Sequence, residues 1–132
     1  MEYSIIDVSN ALQACWNEET SCCGNRIPKD NLARGQCIAS SLVIQDYFGG
    51  EIIRFAVKAE GINENHYCNI LQNQTLIDTT RMQYSKPVIM TPNPITLGNF
   101  KNIREKLLAD NDILRQYTSL KRRVEDHLRL PM

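Results

Sequence analysis

A chain of 132 residues, 42% hydrophobic and 23% charged, has material for one buried core and too little for two, which excludes a disordered or fibrous protein and predicts a single globular domain over residues 1–132. Fifteen Lys and Arg offset fifteen Asp and Glu, so no net field gathers nucleic acid or an anionic membrane, and neither is expected as a partner. With no apolar run near the ~20 residues of a membrane span and no basic n-region before an apolar stretch in MEYSIIDVSN, the expected compartment is the cytoplasm, with delivery by a specialised secretion system left open.

In chain order, Ile5, Ile6, Val8, Leu12 and Trp16 fall at roughly helical spacing and predict an N-terminal helix, capped by Asp7 or Ser9, that ends before Cys22. CCGNRIPKDN, with Gly24 and Pro28 among polar residues, reads as a loop. The five cysteines (Cys15, Cys22, Cys23, Cys37 and Cys68) form an odd set without paired spacing, so no disulfide framework is expected. Cys22 and Cys23 are vicinal and make no C-x-x-C knuckle, so no metal is expected either; a site built from Cys15, Cys22 and Cys23 is the metal-binding alternative.

The best helix spans residues 36–48, from Gln36 to Phe48, and Gly49-Gly50 supplies its left-handed end. Its apolar residues surround the axis instead of forming one stripe, which predicts a central helix covered on most sides. Cys37 lies in its first turn. EIIRFAVKAEG alternates, with Ile53, Phe55, Val57 and Ala59 on one side, and predicts a half-buried strand closed at Gly61. HYCNIL and TLIDTT follow as two strands around the short loop QNQ, completing an antiparallel sheet over about residues 51–80. SKPVIMTPNPITLG, with three prolines, reads as a crossing loop with a few extended residues. Two C-terminal helices over about residues 99–128 carry Phe100, Ile103 and Leu107, then Ile113, Leu114, Tyr117, Leu120, Val124 and Leu128, with ADND as the interruption. The expected fold class is α+β, a Cys-bearing central helix packed on an antiparallel sheet with helices at the C-terminus.

A cysteine attacks as thiolate, and a helix N-terminus with a neighbouring imidazolium lowers its pKa from ~8.5. Cys37 has the helix terminus, so with an imidazole brought beside it ionisation near neutral pH is expected; the competing reading makes Cys37 a small buried apolar residue. Of the two histidines, His127 near the end of the last helix suits a capping or surface role, whereas His66 opens a strand that can face the first turn of the central helix. The third member must accept from the second ring N–H, and Asp78 is the candidate. If the loop between the strands is Gln72 to Gln74, Leu71 faces Thr75 and Cys68 faces Asp78. His66 and Asp78 then share one face as diagonal neighbours, about 7–8 Å apart at the backbone; a two-residue loop would put them on opposite faces. Asn69 is the reserve orienter, pointed away from His66 by strand alternation.

GQC through VIQDYFGGEI, then HYCN, then IDTTRMQY resemble the YunG-like family of bacterial proteins, whose pattern is G-Q-C, a helix ending V-x-Q-D-x-x-G-G-E, a later H-Y-W-N and D-x-T-x-x-Q-[FY]. CWNEET and LRQYTSLKRRV resemble its first and last segments, so the match runs in order over most of the chain. The resemblance implies a compact papain-like or transglutaminase-like cysteine fold with Cys37, His66 and Asp78 as its triad. It also implies an oxyanion hole from Gln36 or the backbone around Cys37; Trp16 reads equally as a core anchor of the first helix or as part of the pocket. Cys68 stands where the pattern has tryptophan, Asn17 where serine follows Trp16, and Gln74 near a turn that often carries glycine. These departures touch the pocket wall and leave the three site residues in place.

The expected function is a cofactor-independent, cysteine-dependent amide hydrolase or acyl transferase, whether peptidase, deamidase or transglutaminase-like, acting on a peptide, protein or small amide. The alternative is a non-catalytic binding or regulatory module that keeps the fold.

Overall fold

The computed structural model describes residues 2–130. Its elements are α1 (Ile5–Cys15), α2 (Cys37–Phe48), β1 (Glu51–Ala59), β2 (Ile62–Ile70), β3 (Leu76–Ile77), β4 (Ile89–Pro92), α3 (Ile103–Leu108) and α4 (Asn111–Leu128). The fold is α+β, with an antiparallel sheet of strand order β3-β2-β1-β4. None of the described helices is long and apolar enough to cross a membrane.

Ser4, and not Asp7 or Ser9, caps α1. The Ser4 hydroxyl accepts from the Asp7 N–H at 3.1 Å while the Ser4 N–H donates to Asp7 Oδ2 at 3.0 Å, so Asp7 is the acidic partner in a reciprocal box one turn into the helix. The helical core is built where α1, α2 and α4 meet: Val8, Ala11 and Leu12 from the first, Leu42, Val43 and Ile44 from the second, Leu120 and Val124 from the third, all fully buried. Because α2 is enclosed on most sides, even Ser40 and Ser41 are buried in it. The ADND interruption is the start of α4, where the Asp110 carboxylate accepts from the N–H groups of Asp112 and Ile113 at 2.9 and 3.1 Å.

Three features of the sheet depart from expectation, the first being that TLIDTT forms a strand only over Leu76–Ile77. Strand β2 begins at Ile62, pairing with Ala59 directly across the turn at Gly61, so the polar GINEN stretch is strand and His66 lies in mid-strand instead of opening it. Polar residues at a solvent-washed strand end carry no apolar alternation, which is why the pattern hid them. Strand β1, in turn, is not buried on one face only. Ile52, level with Asn69, joins the helical core, whereas Val57, level with Glu64 on the opposite face, is fully buried outside that cluster. Opposite ends of the strand are therefore covered on opposite sides. Strand β4, from the proline-rich crossing loop, pairs with β1 at the sheet edge, where Pro92 is tolerated because nothing lies beyond it to accept an N–H.

Candidate active site

Cys37 is the first residue of α2, and three side chains fix how that helix end sits. The Trp16 indole N–H donates to Ser40 Oγ at 3.0 Å. The buried Gln36 carboxamide accepts from Thr20 Oγ1 at 2.8 Å and donates to the Asn17 carbonyl at 3.1 Å. Asn69 Nδ2 donates to the Ser41 carbonyl at 2.9 Å. Gln36, Trp16 and Asn69 thus brace the helix against the α1–α2 connection and the sheet, and Asn69 turns away from His66 as strand alternation requires.

The Cys37 side chain is 8% exposed, and its sulfur faces the backbone N–H of Tyr67, the residue after His66. Burial pushes the thiol up to about 12; the Tyr67 N–H favours the thiolate, but Cys22, Asp78 and Glu64 nearby add to the upward push. The thiol is therefore protonated at neutral pH. This differs from the ionised sulfur expected of a helix N-terminus, because desolvation outweighs the favourable dipoles. Burial likewise raises Cys68 to about 12. A group with a raised folded value holds stability that is whole below its unfolded value of 9.0 and drains as pH climbs toward the folded one. Each such thiol then costs about 1.4 kcal/mol per pH unit over that window. The free energy of urea unfolding is expected to fall between about pH 9 and pH 11, and Cys37→Ser to make the fall shallower; an identical slope in the variant would contradict the buried thiol.

The hairpin that carries the histidine and the aspartate has the expected three-residue loop. Leu71 N–H donates to the Thr75 carbonyl at 2.9 Å, and Ile70 and Asn69 pair with Leu76 and Ile77. Gln74 takes the left-handed conformation, φ 70°, at the turn where the family pattern often carries glycine. The same register brings Asp78 level with Cys68 and onto the His66 face. His66 Nε2 lies 2.8 Å from Asp78 Oδ2, and the ring is fully buried. The second carboxylate oxygen of Asp78 accepts from the Thr80 N–H at 3.3 Å. His127 is exposed in the last turn of α4.

Four further residues complete the surroundings of His66. Arg34 forms a two-pronged ion pair with Glu64 and donates through Nη1 to Gln83 Oε1 at 3.2 Å. Gln83 Nε2 stands 3.0 Å from His66 Nδ1. The Tyr84 hydroxyl donates to Glu64 Oε2 at 2.8 Å, and the Tyr84 ring meets the imidazole edge-on with centroids 5.4 Å apart. Burial pushes the Glu64 carboxyl up, but the hydrogen bonds from Arg34 and Tyr84 outweigh it and hold the group below its ordinary value. Gln83 and Tyr84 close the D-x-T-x-x-Q-[FY] pattern, but Arg34 and Glu64 carry no such signal, because GINEN lacks the apolar alternation that marks a strand. Once β2 is extended to Ile62, Glu64 falls two residues before His66 on the same face, which is the signal that finds it.

These contacts fix the protons. A guanidinium only donates, so the Gln83 oxygen must face Arg34 and its NH2 must face His66. Nδ1 of His66 is then an acceptor, and the ring proton sits on Nε2, donated to Asp78. No buried side-chain nitrogen or oxygen among the described residues is left without a partner. The network borders a cavity of about 760 Å³ lined by Asn31, Arg34, Ile62, Gln83, Tyr84 and Val88. A second cavity of about 640 Å³, also walled by Asn31, extends toward Trp16, Leu32 and Met82.

The family model described as YunG protein matches residues 4–129. No curated protein and no solved structure matches the chain.

Proposed function

This chain belongs to the YunG family, and we propose that it is a cysteine-dependent amide hydrolase or acyl transferase whose Cys37, His66 and Asp78 act as in a papain-like or transglutaminase-like core. Nδ1 of His66 takes the Cys37 proton as the sulfur attacks the carbonyl carbon of a carboxamide or peptide bond, forming the S–C bond. As the C–N bond breaks, the same proton passes to the leaving amine, and water or an acceptor amine then resolves the thioester. Asp78 holds the ring and stabilises the imidazolium that forms between the two transfers. The oxyanion falls to backbone N–H groups in the first turn of α2, which have no partner within the helix; the Gln36 carboxamide is committed to Thr20 and Asn17. Substrates are a peptide, a protein or a small amide, and the chemistry needs no cofactor.

The reading is supported by the buried His66 ring, whose 2.8 Å contact with Asp78 commits Nε2 and makes Nδ1, now engaged by Gln83, the nitrogen able to take a proton. A second reading, a binding module without chemistry, draws on the other side of the same geometry: the Cys37 thiol is buried and pushed up to about 12, and both ring nitrogens are already engaged. A peptide-based electrophile separates the two. Peptide mapping after labelling near neutral pH is expected to find the adduct on Cys37 in preference to the exposed Cys22. Label confined to Cys22 with Cys37 untouched would favour the binding module.

A further inference from the structure

We infer that Gln83 caps the base: its carboxamide occupies the Nδ1 lone pair of His66 at rest and must leave before that nitrogen can take the Cys37 proton. The inference rests on the catalytic reading of His66 and concerns a residue that reading does not use. Gln83 is set into this position from two sides. Arg34 Nη1 holds its side-chain oxygen at 3.2 Å, and Asn31 Nδ2 donates to its backbone carbonyl at 2.9 Å. With the oxygen committed, the NH2 group has the imidazole lone pair as its acceptor at 3.0 Å. A lone pair that accepts from Gln83 cannot at the same moment accept from a thiol, so at rest His66 is not free to act as the base.

The cap is placed where a ligand can remove it. Gln83, Arg34 and Asn31 all line the 760 Å³ cavity, so an occupant of that space meets the carboxamide and the two groups that hold it. Moving the NH2 group off Nδ1 requires a replacement acceptor, because a buried amide N–H left unpaired is costly. The carbonyl oxygen of an amide substrate supplies one. Gln83 is on this account a positioning residue that couples occupancy of the cavity to release of the base.

The test is the rate at which iodoacetamide alkylates Cys37, followed by peptide mapping, in the full chain and in Gln83→Met, His66→Gln and the double variant. Methionine keeps the length of the side chain and removes the donor. Gln83→Met is expected to react about tenfold faster, the equivalent of one neutral hydrogen bond at the upper end of its usual net worth, and the double variant to lose that gain. A merely structural role for Gln83 predicts no gain that depends on His66. If His66→Gln slows Cys37 but Gln83→Met brings no acceleration, the cap is overturned and the base survives; if His66→Gln changes nothing in either background, both fall. Nitrogen-15 spectra of the unaltered protein, labelled at histidine, give an answer that needs no variant to fold. They are expected to show His66 protonated at Nε2 and unprotonated at Nδ1, and a proton found on Nδ1 near neutral pH would overturn the cap.

Discussion

Replacing His66 by glutamine is expected to slow acylation of Cys37 by a peptide electrophile about a thousandfold, within the range a positioned general base contributes, while leaving the fold intact. The glutamine NH2 can still donate to Asp78, and its oxygen can still accept from Gln83 Nε2, so the hydrogen bonds the imidazole makes at 2.8 and 3.0 Å have replacements. What disappears is the capacity to take a proton. The dependence on the base is large because burial pushes the Cys37 thiol up and keeps it protonated at neutral pH. Cys37→Ser, which removes the sulfur, should abolish the adduct altogether. Asp78→Asn should be the mildest of the three, a loss of about ten- to a hundredfold, because its amide can turn an acceptor toward either the His66 N–H or the Thr80 N–H and must offend the other. Rates read by intact mass and peptide mapping decide the order, and a His66→Gln protein that reacts at the original rate would remove His66 from the chemistry.

Which parts of this arrangement could be read from the residues depends on whether a periodicity carried them. The His66–Asp78 contact was legible because a strand has a period of two: a loop of Gln72 to Gln74 puts the two side chains on one face, and the hairpin has that loop. Helix α2 was legible because its apolar residues surround the axis and two glycines end it. The α1 cap is legible as Ser4 with Asp7 three residues on, a capping box whose first residue precedes both Asp7 and Ser9. By contrast, nothing periodic joins Arg34 to Gln83. They meet because the loop before α2 and the short turn Arg81–Gln83 fold over the same face of β2, which is a tertiary event. The protonated state of Cys37 is hidden for a related reason. A helix N-terminus is visible in the sequence, but the depth of cover that decides between dipole and desolvation is not.

Gly50→Ala is expected to cost about 3 kcal/mol or more of folding stability, the range in which backbone strain and steric overlap combine. Gly50 has φ 74°, a left-handed conformation that disfavours any residue with a Cβ by roughly 1–2 kcal/mol. A Cβ there would also run into the Ile70 carbonyl oxygen and stand 2.9 Å from Leu71 Cα, and these are backbone atoms that cannot swing aside. Gly61→Ala is the matched control, since Gly61 has φ 76° but no atom within 4 Å of an added Cβ, so it should show the conformational penalty alone. Urea unfolding followed by far-ultraviolet circular dichroism measures both, and equal losses would mean that the backbone around Ile70 yields to the methyl group. The clash falls on the two residues from which the β2–β3 hairpin turns. Leu71 is hydrogen-bonded to Thr75 across the loop and Ile70 is paired with Leu76, so displacing them shifts β3, and Asp78 directly after it, relative to the strand that carries His66. Gly50→Ala protein that remains folded should therefore also lose reactivity at Cys37, whereas Gly61→Ala protein, altered at the far end of β2, should keep it.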